Sequence, residues 1–339
     1  MNYSTNEWDT LKKVVVGSAT DAKVPELDVS MRCINYADVA DENDIKTGPY
    51  PQIVIDEANE DLETFVDFLE GESVEVHRPT PWSPVRYYDY CPRDIVFIHG
   101  HKQIATPNPI HARYDNWINL SGCLWDTIKD GPFDGNLIDG DYFITAPRVF
   151  DVSDYNNYCI GNPNILACNE EKPMFDAANI IRANEDLLYL VSNSGNKKGA
   201  EYLQEQYPDT NVHLLEGVYS YMHIDSTIAF LREGLMLLNP SRIKTLDVLP
   251  EPFKSWDCIW CPEPTDIGYY GDYNNASVWI NMNLFSVNSK LVALEENQHS
   301  LRKELEKHGI ECAMLPMRHQ RTLGGGFHCV TLDLIRDHD

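Results

Sequence analysis

Residues 187–238 read LLYLVSNSGNKKGAEYLQEQYPDTNVHLLEGVYSYMHIDSTIAFLREGLMLL. The apolar run Leu187–Val191 predicts a buried strand, and Ser194 and Gly195 then break the chain before a helical segment, Lys197–Gln206. Val212–Leu215 returns as a strand. Thr227–Leu231 and Leu235–Leu238 are two more apolar runs, separated only by Arg232-Glu233-Gly234, a connection short enough to pair them as an antiparallel hairpin.

The same alternation recurs on both sides of this stretch. Val14–Val16 and Val74–Val76 predict strands flanking Asp56–Leu69, where Leu62, Phe65, Val66 and Leu69 have helical spacing; Val74 and Val76 alternate with Glu75 as in a half-buried strand. Leu291–His308 predicts a charged amphipathic helix, followed by strands at Cys312–Leu315 and Val330–Ile335. Hairpins mixed with single helices predict an α/β fold of repeated ββαβ-like units. No short-period repeat, low-complexity tract or Gly/Ser linker divides the chain, so residues 1–339 are expected to act as a single catalytic domain. The irregular stretches Glu26–Pro51, Pro79–Arg93 and Pro147–Lys172 have the length and composition of lids or binding loops.

The chain has 339 residues, 43% hydrophobic and 24% charged, an ordinary mixture for a globular enzyme. Asp and Glu number 53 against 27 Lys and Arg, a formal charge of −26. Repulsion on that scale argues against nucleic acid and anionic membranes as partners. The N-terminal stretch MNYSTNEWDTLKKVVVG shows no signal or transit pattern, and no apolar run approaches about 18 residues, so a cytoplasmic protein is expected. Nine scattered cysteines, an odd number, are expected to be mostly reduced and buried.

The densest chemical signal is Thr322–Val330, TLGGGFHCV. Three glycines let the backbone approach a ligand closely and deliver Cys329 to the mouth of a strand, where a nucleophile could sit; a buried structural cysteine is the plainer alternative. A thiol nucleophile needs an acid/base partner, and His223 in Tyr221–Thr227 is the best candidate. In an extended segment His223 and Asp225 would share one face. Asp176, in Phe175–Asn179, is suited to orienting an imidazole, or equally to capping a turn. Asp94 precedes the apolar Ile95–Ile98 and could instead form a surface pair with Arg93. Cys258 and Cys261 have the spacing of a zinc or redox half-site without a second half, and His99 and His101 lack partners for a metal. GxGxxG, Walker A and GxSxG motifs are absent, so neither a nucleotide cofactor nor a metal is expected.

These residues stand in blocks that resemble the arginine amidinotransferase family, with features of its glycine amidinotransferase and inosamine-phosphate amidinotransferase members. The resemblance runs through nearly the whole chain. It rests on Asn6–Asp9, Tyr90–Asp94, Phe175–Asn179, Leu188–Ser192 with Ser194–Asn196, His223 with Asp225–Thr227, Asn239–Arg242 and Leu323–Cys329. It implies a five-bladed pseudosymmetric α/β propeller of ββαβ modules, shared with arginine deiminases, around a central channel. It also implies that Cys329 is the nucleophile, His223 the acid/base and Asp176 the carboxylate holding His223. Asp94 and Asp225 would grip the guanidinium, and Arg242 would meet the substrate carboxylate.

The implied reaction is ping-pong transfer of an amidino group from L-arginine to an amine acceptor, without cofactor. A guanidinium stays protonated to a pKa of about 12.5 to 13.8, so it becomes electrophilic only when carboxylates fix its charge and orientation. Two other functions compete: hydrolysis to citrulline, as in a deiminase, and non-catalytic arginine binding, which would not need Cys329 and His223. The resemblance points to a small amino acid or amine as acceptor, in bacterial specialised metabolism, with glycine as runner-up. Met222 is like the glycine enzyme. Asn281 departs from both branches at a substrate-side position, and the assembly, with a homodimer among the options, is left open.

Overall fold

The computed structural model describes residues 2–124, 143–146 and 151–337. Its strands form five three-stranded sheets and one short pair, Lys23–Val24 with Gly48–Pro49. One pattern recurs in the sheets: two strands pair antiparallel, and a third joins the second in parallel after a helical crossover. In the blade that opens residues 187–238, Ile180–Ala183 pairs antiparallel with Asp186–Leu190, helix Lys197–Gln206 crosses over, and Asn211–Leu215 runs parallel to Asp186–Leu190. The next blade pairs Ile228–Arg232 with Leu235–Leu238 as the antiparallel hairpin expected, then adds Asp257–Trp260 in parallel. Another combines Val96–His99, Lys102–Ala105 and Phe143–Thr145. The protein is a five-bladed α/β propeller.

The ring closes by joining distant parts of the chain. Thr10–Val16 lies between Glu75–His77, its parallel partner across helix Gln52–Gly71, and Thr331–Asp337, its antiparallel partner. Leu187, Leu188 and Leu190 are fully buried, because a middle strand has neighbours on both edges and packed layers on both faces.

The remaining blade corrects the sequence reading. Leu291–His308 is not one helix: Leu291–Glu295 is a middle strand, paired with Phe285–Asn288 on one edge and Glu311–Leu315 on the other, and only His299–Lys307 is helical. Leu, Ala and Glu favour helices, but ladders on both edges override that weak preference. Glu26–Pro51 is not wholly irregular, since Val29–Ile34 is a helix capped by the Asp28 side chain on the Met31 N–H at 2.9 Å. Residues 147–150, the start of the third long loop, lie outside the described residues. Among the described residues no helix is long and apolar enough to cross a membrane.

A short 3₁₀ turn precedes the first strand of four blades: Pro92–Asp94, Ala177–Asn179, Ile224–Ser226 and Val278–Met282. These turns pack on one another in succession. In the closing blade the Gly324–Val330 segment takes the corresponding place before Thr331–Asp337. Pseudosymmetry thus gathers at one place five chain segments that are far apart in sequence.

Candidate active site

Cys329 is fixed by its own backbone. The Oδ1 of Asn283 accepts the N–H groups of both His328 and Cys329, at 3.0 and 3.1 Å. Gly324 has φ of 81°, and at Gly325 a Cβ would lie 2.5 Å from the Cys91 sulfur, so a side chain at Gly325 would collide with that thiol. The Cys329 thiol donates to Asp225 Oδ2 at 3.2 Å. Its hydrogen bond with Cys91, burial and the Asp225 charge push it well above the ordinary thiol range, so it rests protonated.

His223 immediately precedes the turn Ile224–Ser226, so His223 and Asp225 converge through a turn rather than along the extended face expected from sequence. His223 Nε2 lies 3.2 Å from Asp176 Oδ2, an ion-pair contact without hydrogen-bond alignment, and Nδ1 lies 3.9 Å from Asp94 Oδ1. Burial alone would favour neutral imidazole, but the charges of Asp176, Asp94 and Asp225 raise its pKa to about 10. It is an imidazolium at neutral pH.

Asp176 serves both roles that its sequence context left open. Oδ1 accepts the Ala178 N–H at 3.1 Å and caps the 3₁₀ turn, while Oδ2 faces His223 and accepts from Asn108 at 3.4 Å. Asp94 does not pair with Arg93, which instead reaches Asp333 at 2.5 Å in the interior. Its partner is Arg113, bound at Oδ2, and Oδ1 is left without a hydrogen bond. Burial, with Asp176 and Asp225 nearby, pushes Asp94 up to about 6 against the restraint of Arg113.

Arg113 escaped the sequence reading because no motif surrounds it. It is fully buried beneath Tyr88 and Tyr87, at 5.0 and 5.7 Å from their ring centres, and donates to the Cys91 carbonyl at 2.9 Å. Asp225 accepts from His328 Nδ1 as well as from Cys329, at 3.0 Å. Burial would raise its pKa, but the hydrogen bond and charge of His328 and the charge of His223 hold it well below the carboxylate range.

One cavity brings Cys329, His223, Asp225, Arg242 and Met222 together, with Arg113 in its wall. Asp94 and Asp176 stand behind this lining, and Asn281 is outside it. Both ends of the Asn281 amide are engaged, Nδ2 with the Thr265 carbonyl at 2.9 Å and Oδ1 with Gln320. Arg242 stacks 3.5 Å from the centre of the Tyr219 ring and donates through Nη1 to the Ser226 carbonyl, Ser226 Oγ and Thr227 Oγ1. A second, polar cavity with Asp38, Lys46 and Asp272 shares Asn35, Tyr221 and Asn275 with the first. Asp94, Asp176 and His223 each turn one ligand atom to within 4.8 Å of the others, a spacing that could hold a cation, and the protonated imidazole supplies one positive charge there.

A thiol, an imidazolium and three carboxylates beside a stacked arginine equip the chain for nucleophilic chemistry on a cationic substrate that carries an anionic group. No family model matches the chain. Inosamine-phosphate amidinotransferase 1 of Streptomyces glaucescens is 39% identical over 98% of this chain and 95% of its own length. The L-arginine:L-lysine amidinotransferase of Pseudomonas savastanoi pv. phaseolicola is 30% identical over 98% of this chain and 94% of its own. The solved inosamine-phosphate amidinotransferase of Streptomyces griseus superposes with a TM-score of 0.91 at 36% identity, covering 100% of this chain and 98% of that one. The chain belongs to the amidinotransferase family, a class of transferases.

Proposed function

We propose that residues 1–339 act as one catalytic domain that moves the amidino group of L-arginine, through an S-amidino intermediate on Cys329, to a small amino acid or small amine in bacterial specialised metabolism, releasing L-ornithine. The observation that carries this reading is the contact between the Cys329 thiol and Asp225 in the cavity that also holds His223 and Arg242.

Arg242 receives the α-carboxylate of arginine, and Asp225 and the free Oδ1 of Asp94 receive its guanidinium. Because Oδ2 of Asp94 is held by Arg113, Asp94 offers the substrate one oxygen rather than two. The entering cation offsets the acids that keep the thiol protonated, so the thiol gives its proton to solvent as arginine seats, and the thiolate released at the end of the cycle takes a proton back from solvent. Sulfur then bonds to the guanidinium carbon and gives a tetrahedral adduct. His223, as imidazolium, protonates the substrate nitrogen; the C–N bond breaks and ornithine leaves as an amine. The cationic amidino group stays on sulfur and His223 is neutral. The acceptor amine gives its proton to His223 and attacks the same carbon, and the C–S bond breaks. Once ornithine leaves, Arg242 is free to hold an acceptor carboxylate, which supports an amino acid acceptor, glycine included. Met222 lines the acceptor's path, and Asn281 acts indirectly by fixing the Val278–Met282 turn.

Incubation with labelled arginine and a panel of amines, read by mass spectrometry, is expected to give ornithine and an amidinated amine, with the label trapped on the Cys329 peptide when no amine is present. Citrulline as the main product would make the protein a hydrolase and refute transfer. The pH profile gives a second expectation. Asp94 must be ionised to hold a cation, and its pKa is about 6 in the free site. So kcat/KM for arginine should fall as pH drops through about 6, well above an ordinary carboxylate. A flat profile down to pH 5 would remove Asp94 from the grip.

A further inference from the structure

We propose that His328 is a positioning residue, anchored by Glu7, that holds the Asp225 carboxylate on the Cys329 thiol. The inference rests on the assignment of Cys329 and Asp225 to the chemistry.

His328 and Cys329 are adjacent in sequence, yet their side chains border different cavities. Cys329 faces the cavity it shares with His223 and Arg242, whereas His328 lines a separate one of about 20 Å³ with Glu7 and Ser286; Asp225 borders both. One atom, Asp225 Oδ2, takes both neighbours: the thiol at 3.2 Å and His328 Nδ1 at 3.0 Å. Because Asn283 Oδ1 binds the backbone N–H groups of both residues, ring and thiol are set relative to each other before they meet the carboxylate. A carboxylate with a single donor can turn about its side-chain bond, whereas two donors on one oxygen fix its direction.

The far side of the ring is anchored as well. His328 Nε2 lies 3.5 Å from Glu7 Oε2, and Glu7 is clamped by Arg182 through Nε at 2.8 Å and Nη2 at 3.0 Å, with the Arg182 backbone N–H a third donor at 3.1 Å. Arg182 Nη2 also bonds Asp333, so the relay ends in a buried ion network rather than in solvent. His328 thus links a rigid part of the ring to the carboxylate beside the nucleophile, and it touches neither substrate nor sulfur.

The test is the single-turnover rate at which arginine amidinates Cys329, measured by mass spectrometry in three variants. His328→Leu removes the Nδ1 donor and is expected to slow adduct formation about 30-fold, the loss of one hydrogen bond to a charged acceptor. His328→Asn can place an amide N–H where Nδ1 stood, and should recover most of that loss. Glu7→Gln keeps an oxygen for Arg182 but removes the anchoring charge, and should fall between wild type and His328→Leu. A merely structural role would not distinguish Asn from Leu. If the two His328 variants are equally slow, or His328→Leu matches wild type, the proposal fails. If His328→Leu does not fold, Glu7→Gln decides: a wild-type rate overturns the proposal, and a slowed rate with an unchanged melting temperature supports it. Wild-type protein that never acquires the adduct on Cys329 would instead refute the underlying chemistry.

Discussion

Cys329→Ser is expected to lower amidino transfer by at least about 10⁴-fold and to leave no amidino group on the peptide that contains it. Sulfur is the stronger nucleophile, and its proton can be displaced when a guanidinium enters a site crowded with acids. A serine hydroxyl ionises far less readily, and beside Asp225 the alkoxide would carry the same electrostatic burden that raises the thiol. Folding should be unaffected, since the Asn283 contacts use only the backbone and a hydroxyl can still donate to Asp225. Cys91 makes the experiment sharper: its sulfur adjoins the same turn. Full turnover in the serine variant, or an adduct on Cys91, would overturn the assignment.

The second large effect is expected at Asp94. Asp94→Asn removes the ionised partner of Arg113, which is buried under two tyrosine rings with its Nε already unpaired. Leaving such a charge uncompensated costs about 3–5 kcal/mol of stability. Separately, the loss of a charged contact to the substrate should cost more than about 2 kcal/mol in kcat/KM for arginine. The two losses can be separated by the double variant Asp94→Asn with Arg113→Met, in which no lone cation remains. Its melting temperature should return most of the way to wild type while its activity stays low. If activity recovers together with stability, Asp94 serves the fold and not the guanidinium.

The sequence exposed some features because their physics is local. Helix Lys197–Gln206 was readable to the residue: Asn196 caps it on the Gly199 N–H, and Tyr207-Pro208 ends it. The hairpin at Ile228–Leu238 followed from a turn too short for any other connection. Leu291–Glu295 was misread because its neighbours across the sheet, Phe285–Asn288 and Glu311–Leu315, decide its state, and neither is visible in a local window. Likewise, the residue types at Cys329, His223, Asp176 and Asp225 suggested a constellation, but the pairing of Asp94 with Arg113 depends on two loops meeting in space. Asn281 shows the reverse case. The family resemblance put it at a substrate-side position, and only the side-chain direction shows its amide occupied elsewhere.

If Cys329 acts as proposed, the way the ring closes ties activity to protein synthesis. The first strand waits for Thr331–Asp337, and Cys329 lies two residues before that strand, so the last blade strand to leave the ribosome brings the proposed nucleophile with it. Domains fold as synthesis proceeds, and the other blades can be made while this position is still untranslated. Until then a nascent chain carries Asp94, Asp176, His223 and Asp225 without the proposed nucleophile. On the proposed mechanism, activity is therefore expected as an all-or-none event: a translation product cut short before Cys329 should leave arginine unconsumed, however much of the propeller it has built.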